Sequence, residues 1–186
     1  MLIEKEFYFV RHGQTDWNIR HRAQGQTDIP LNAKGLQQAK QAAESVANLK
    51  FGTICSSPLS RAIQTAEEIA STTGRKVSIL EELMECSWGV CEGSTKGLWF
   101  EKWKRGIKIP DRAEPYEEFL DRATAAINKA LSNPGPVLIV AHGGIYWAVQ
   151  VHALRNVKHD LPNATIVKHT PPSKKHPWWN ISLVNS

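Results

Sequence analysis

The chain has 186 residues, 41% of them hydrophobic and 22% charged, and its 23 Lys and Arg against 18 Asp and Glu give a net charge of +5 with a pI near 9.2. This describes one globular domain, residues 1–186, large enough to bury a core without disulfide or metal staples, and it excludes disordered and fibrous classes. The basic balance attracts anions in general, but without a run of five Lys or Arg or a zinc-finger spacing it argues against nucleic acid as the main partner.

The first residues, MLIEKEFYFV, carry acids where a secretory leader needs a basic region and a longer apolar one. Residues 7–10 are apolar, rich in aromatics and bounded by charge, which predicts a buried strand that ends on Arg11 and His12. In the next segment, 35–49, Leu36, Ala39, Ala43, Val46 and Ala47 fall on one helical face, and Asn32 is placed to cap it. FGTICSS, residues 51–57, predicts a second strand. Helical spacing returns at Ala62, Thr65, Ala66 and Ile69, and residues 76–80 predict a third strand. Residues 81–97 are irregular and predict a loop. Helices are expected at 98–106 and 117–131, and Asn133-Pro-Gly-Pro breaks the chain. The apolar run that follows meets His142-Gly143-Gly144 at its end, before a helix at 145–154 and strands at 164–169 and 180–184. Alternating strands and helices predict an α/β fold, a three-layer α/β/α sandwich with a mostly parallel central sheet.

Cys55, Cys86 and Cys91 are too few, and odd in number, for a secreted disulfide framework. No apolar stretch reaches 18 residues. The expected address is the cytoplasm, with no membrane partner; the oligomeric state is left open.

Three predicted strands end in polar chemistry: Arg11-His12, Ser57-Pro-Leu-Ser-Arg61 and His142-Gly143-Gly144. In open α/β sheets ligands bind at the carboxyl ends of strands. The fold therefore offers a way to gather two guanidiniums and two imidazoles around one anion. Arginine suits bidentate phosphate contact, and glycines at a helix start expose backbone amides to the same anion.

These motifs resemble those of the histidine phosphatase superfamily, the group related to cofactor-dependent phosphoglycerate mutase. RHGQTDWN, Arg22-Ala-Gln-Gly25, Asp28-Ile-Pro-Leu-Asn32, SSPLSRAIQTA, the segment from Leu83 through Glu85 to Gly93, and Val140-Ala-His142-Gly-Gly144 follow the family's order, and Pro162-Asn163-Ala164 and Trp179 resemble its closing strands. The resemblance implies a metal-independent phosphomonoester phosphatase acting on a small phosphorylated metabolite, with no cofactor. It makes His12 the nucleophile, Glu85 the general acid and base, and Arg11, Arg61 and His142 the catalytic groups that hold the phosphoryl oxygens, with Asn18 and Gly143 as further phosphate contacts. A carboxyl that carries a proton near neutral pH must leave bulk water, so Glu85 is expected to sit partly desolvated; Glu81, Glu82 and Glu92 compete for its role. The alternatives are a phosphoglycerate mutase, whose longer insertions this chain lacks, and a phospholigand-binding member without turnover.

Residues 94–114 stand where the family places a variable cap. Lys96, Lys102, Lys104, Arg105 and Lys108 with Trp99, Phe100 and Trp103 read either as a lid over the pocket or as a helix with a solvated basic face. Asp111-Arg112-Ala113 replaces the family's glycine-rich turn before Glu114. Cys86 and Cys91 are expected to be inert thiols, and His152, His159, His169 and His176 surface or structural groups rather than a metal site.

Overall fold

The computed structural model describes residues 1–154 and 161–184, so His159 lies outside the described residues. Among the described residues six strands form one sheet: β1 (Phe7–Arg11), β2 (Thr53–Ser56), β3 (Val77–Ile79), β4 (Val137–Ala141), β5 (Ile166–Thr170) and β6 (Asn180–Leu183). Their order is β3-β2-β4-β1-β5-β6. β1 to β4 run parallel, and β5 and β6 are antiparallel additions, as expected for a mostly parallel sheet.

The alternation of side chains along a strand separates two cores. Phe7 and Phe9 of β1, with Val137, Ile139 and Ala141 of β4, pack against α5 (Tyr116–Leu131) and α6 (Gly143–His152). Tyr8, Val10, Leu138 and Val140 face α2 (Ala33–Val46) and α3 (Ser60–Thr73). Burying such side chains contributes about 1.5–3 kcal/mol each, so a slip of one residue in β1 would expose one core and is strongly disfavoured.

Asn32 caps α2 as expected, its side chain accepting from the Gly35 amide. The buried face of α2 is rotated from the expected one. Leu36 is exposed, and Gly35 and Ala42 are buried with Ala39, Ala43 and Val46. Close contact with the loop after β1 turns Gly35 inward, because only a residue without a Cβ fits there. The helix ends at Val46, which leaves Ala47 exposed.

A one-turn helix, α1 (Asp16–Ile19), was not foreseen; a capping box between Thr15 and Asn18 makes it, a signal spaced as in longer helices. The expected loop at 81–97 holds two 3-10 turns, Glu81–Leu83 and Gly89–Cys91. Between Leu98 and Lys104 runs α4, whose Trp103 is fully buried and donates its indole N–H to the Glu114 carbonyl, 2.7 Å away. No helix among the described residues is long and apolar enough to cross a membrane.

Candidate active site

The parallel strands β1, β2 and β4 present their carboxyl ends on one edge, with Arg11 level with Ala141 and Ser56 level with Val140. Just beyond β1, His12 extends the ladder by donating its amide to the Ala141 carbonyl (3.0 Å). Its ring is 3% exposed, and Nδ1 lies 2.7 Å from the Gly13 carbonyl oxygen. A carbonyl can only accept, so Nδ1 carries the ring proton and Nε2 keeps its lone pair.

The loop that carries His12 is held on three sides. The Gly13 amide donates to Thr65 Oγ1 (3.0 Å), and Asn163 Nδ2 donates to the His12 carbonyl (2.9 Å). A Cβ on Gly13 would fall 2.5 Å from the Gly35 carbonyl oxygen, and one on Gly35 2.0 Å from that of Gln14. Both positions therefore demand glycine.

Arg61 opens α3 and is fully buried. Its terminal nitrogens donate to the carbonyls of Thr27 (3.0 Å) and Gly25 (2.8 Å), while Nε has no partner among the described residues. Burial lowers its pKa to about 10, against the pull of Glu85, Asp28 and Glu92, so it stays cationic at neutral pH. Arg11 donates to the Leu161 carbonyl (2.7 Å).

Glu85 is 7% exposed, as expected. Its Oε1 accepts from the Cys86 amide (3.0 Å) and its Oε2 from the Gly144 amide at the start of α6 (3.1 Å). A Cβ on Gly144 would lie 2.0 Å from Oε1, so the glycine makes room for the carboxylate. Arg122 of α5 fixes the backbone beneath it. It donates to the carbonyls of Glu82 (2.7 Å), Met84 (2.9 Å) and Glu85 (3.3 Å), and pairs bidentately with Glu114 (2.7 and 2.8 Å). That pair is also where the turn at Asp111-Arg112-Ala113 leads. Ala113 bridges to Trp88, and Arg112 takes the left-handed backbone, φ 61°, that a glycine would more easily adopt.

Two of the competing glutamates are engaged elsewhere. Glu92 accepts from the Gln26, Thr27 and Trp88 amides and from the Thr27 hydroxyl, and Glu82 pairs with Lys129 at 2.7 Å on the surface. Of the four, Glu85 alone lines the cavity of about 290 Å³ that also meets Arg11, His12, Asn18, Arg61 and Gly143.

Asn18 plays two parts. Its Oδ1 accepts from the Thr15 amide and hydroxyl and from Asn163. With the oxygen so engaged, the Nδ2 end remains for the cavity. His142, by contrast, is not on the cavity wall. It is fully buried beside His12, ring centroids 5.2 Å apart, with Nε2 2.7 Å from Ser57 Oγ and no partner for Nδ1 among the described residues. Asn163, Thr65 and Arg122 were missed as supports. Asn163 sits in a recognisable motif, whereas nothing local marks Arg122 on its helix. His152 and His176 are exposed and His169 is buried against Phe7 and Tyr146, which fits the surface and structural reading of these three. Burial raises the pKa of the Cys86 thiol, as expected of an inert group.

Burial and the Arg61 and Arg11 guanidiniums hold the His12 pKa well below the usual imidazole value; burial, Arg61 and His12 do the same to His142. Both rings are neutral in the folded protein, and an unfolded chain would bind protons near pH 6.5 first. This contribution to stability is complete above about pH 6.5 and lost as pH falls through the folded values. Urea midpoints are therefore expected to drop as pH is lowered from about 6.5, and inorganic phosphate, by compensating the cations, to flatten the drop. A flat profile without phosphate would contradict the burial of neutral rings.

The chain belongs to the histidine phosphatase superfamily (branch 1), whose sequence profile matches residues 7–174. It is 39% identical over 152 residues to the uncharacterized phosphatase PhoE of Bacillus subtilis, covering 78% of this chain and 72% of that one. It is also 39% identical over 150 residues to the probable phosphoglycerate mutase GpmB of Citrobacter koseri, covering 74% and 69%. The solved mycobacterial glucosyl-3-phosphoglycerate phosphatase in complex with VO3 superposes with a TM-score of 0.80 at 25% identity, covering 96% of this chain and 97% of that one.

Proposed function

We propose that this histidine phosphatase hydrolyses a small phosphomonoester through a phosphohistidine at His12. The observation that carries the reading is a free imidazole Nε2 beside two guanidiniums, with a buried carboxyl on the same cavity. Nε2 attacks phosphorus as the ester P–O bond breaks, and Glu85 gives its proton to the departing oxygen. Water then attacks the phosphohistidine, Glu85 takes a proton from it, and the P–N bond breaks to release phosphate. Arg11, Arg61, Asn18 Nδ2 and the Gly143 amide are assigned to the phosphoryl oxygens, where preorganised positive charge stabilises the transition state. The unpartnered Nδ1 of His142 is assigned to the same anion, bound deep against the His12 ring.

Residues 94–114 are proposed as a small cap, supported by Lys96 and Phe100 on the cavity wall. Lys102, Arg105 and Lys108 are exposed and belong to its solvated face. Three free thiols support a reducing compartment, the cytoplasm. The GpmB relative favours phosphoryl transfer as a second reading. It would be preferred if phosphate moved between positions of phosphoglycerate faster than it was released. The principal test is hydrolysis of p-nitrophenyl phosphate in EDTA. We expect full activity there, because the guanidiniums supply the positive charge; loss of activity restored by a divalent metal would refute a metal-independent mechanism.

A further inference from the structure

The phosphoryl chemistry is assigned to Arg11 and Arg61, yet two more cations, Arg22 and Lys96, line the same cavity, where Glu85 is the one acidic wall residue among those described. Neither Arg22 nor Lys96 has an ion-pair partner among the described residues. A second cavity, of about 390 Å³, adjoins the first. It is walled by Trp17, His21 and Thr95 besides four residues shared with the catalytic one: Arg11, Asn18, Arg22 and Lys96. Among the described residues its lining carries no carboxylate.

Backbone pairing builds this corner. Arg22 bridges to Thr95, the Ala23 amide donates to the Ser94 carbonyl (2.8 Å), and the Gly93 amide to the Ala23 carbonyl (2.8 Å). His21 makes the turn into it with a left-handed backbone, φ 50°. Although Lys96 is exposed as a residue, its ammonium rests over ring faces, 4.5 Å from the Trp88 centroid and 4.7 Å from that of Phe100. Those contacts hold the charge at the junction of the two cavities. Burial lowers the Lys96 pKa, the mark of a cation drawn partly out of water. A solvated basic face would not hold an ammonium this way, and withdrawing one from water without a counter-ion is costly.

Resting on the phosphatase reading above, the geometry points to a second anion subsite, formed by Arg22 and Lys96 with His21 at its edge, that selects phosphomonoesters carrying a further carboxylate or phosphate over esters of neutral alcohols. The test compares kcat/KM for propyl phosphate, 3-phosphooxypropanoate and propane-1,3-diyl bisphosphate. At least one doubly anionic ester is expected to exceed propyl phosphate by about tenfold or more, the worth of one charge-assisted contact, and the better of the two identifies the group that the subsite takes. Arg22→Gln and Lys96→Gln are each expected to reduce this ratio about five- to tenfold, with Arg22→Lys keeping most of it. The ratio is the readout because either loss of charge weakens binding of every phosphate ester. Equal kcat/KM for all three esters, or a ratio unmoved in both glutamine variants, would overturn the subsite alone. Turnover of none of them, nor of p-nitrophenyl phosphate, would overturn the phosphatase reading and the subsite with it.

Discussion

Replacing His12 with alanine is expected to lower kcat/KM for every phosphomonoester by about 10⁴-fold or more, because the variant loses the atom proposed to bond to phosphorus. The guanidiniums proposed to hold the phosphoryl oxygens keep their anchors. Arg61 is held by the Gly25 and Thr27 carbonyls and Arg11 by the Leu161 carbonyl, none of which involves the imidazole. Vanadate or phosphate binding by the variant, followed calorimetrically, should persist while turnover disappears. Removing a buried neutral ring that feels both guanidiniums also creates a cavity, so a thermal melt must show the variant folded. Activity above about one hundredth of the parent in a folded variant would exclude His12 as the nucleophile.

Glu85→Gln is expected to give the second largest loss, and its size should depend on the alcohol released. General acid catalysis contributes about 10²–10⁴-fold. An alkyl phosphate expels a strongly basic alkoxide and needs all of it, whereas p-nitrophenolate leaves without a proton. On kcat/KM, which covers steps through phosphorylation of His12, the loss should approach the full range for propyl phosphate and stay below about tenfold for p-nitrophenyl phosphate. Glutamine keeps the size of the side chain but offers one acceptor where the Cys86 and Gly144 amides need two. An equal loss for both esters would mean that the change disturbs the pocket instead of removing an acid.

The layers of the fold were legible in the sequence, and so were five side chains that the fold gathers at one end of the sheet, for a simple reason. Strands buried on both faces read as apolar runs, and the residues that end them, such as His12 and His142, stand out against those runs. Glu85 was harder because four glutamates occupy one irregular stretch. Which of them faces the cavity depends on the amides of Gln26 and Thr27, which hold Glu92, and of Gly144, which holds Glu85, segments far apart in sequence. Leu36 was misplaced because helical periodicity fixes the angular spacing of apolar residues, not the direction in which a close glycine contact turns the helix. The placement of His142 behind the wall, and the supports Asn163 and Arg122, arise from tertiary packing that no local pattern encodes.

Arg122 grips two pieces of chain at once: the carbonyls under Glu85 and the carboxylate of Glu114, at the end of the segment that carries α4. Were the proposed cap to swing outward, the guanidinium would lose its counter-charge and the backbone that carries Glu85 would slacken. Under the proposed mechanism, entry of the substrate and readiness of the acid would then be geared together.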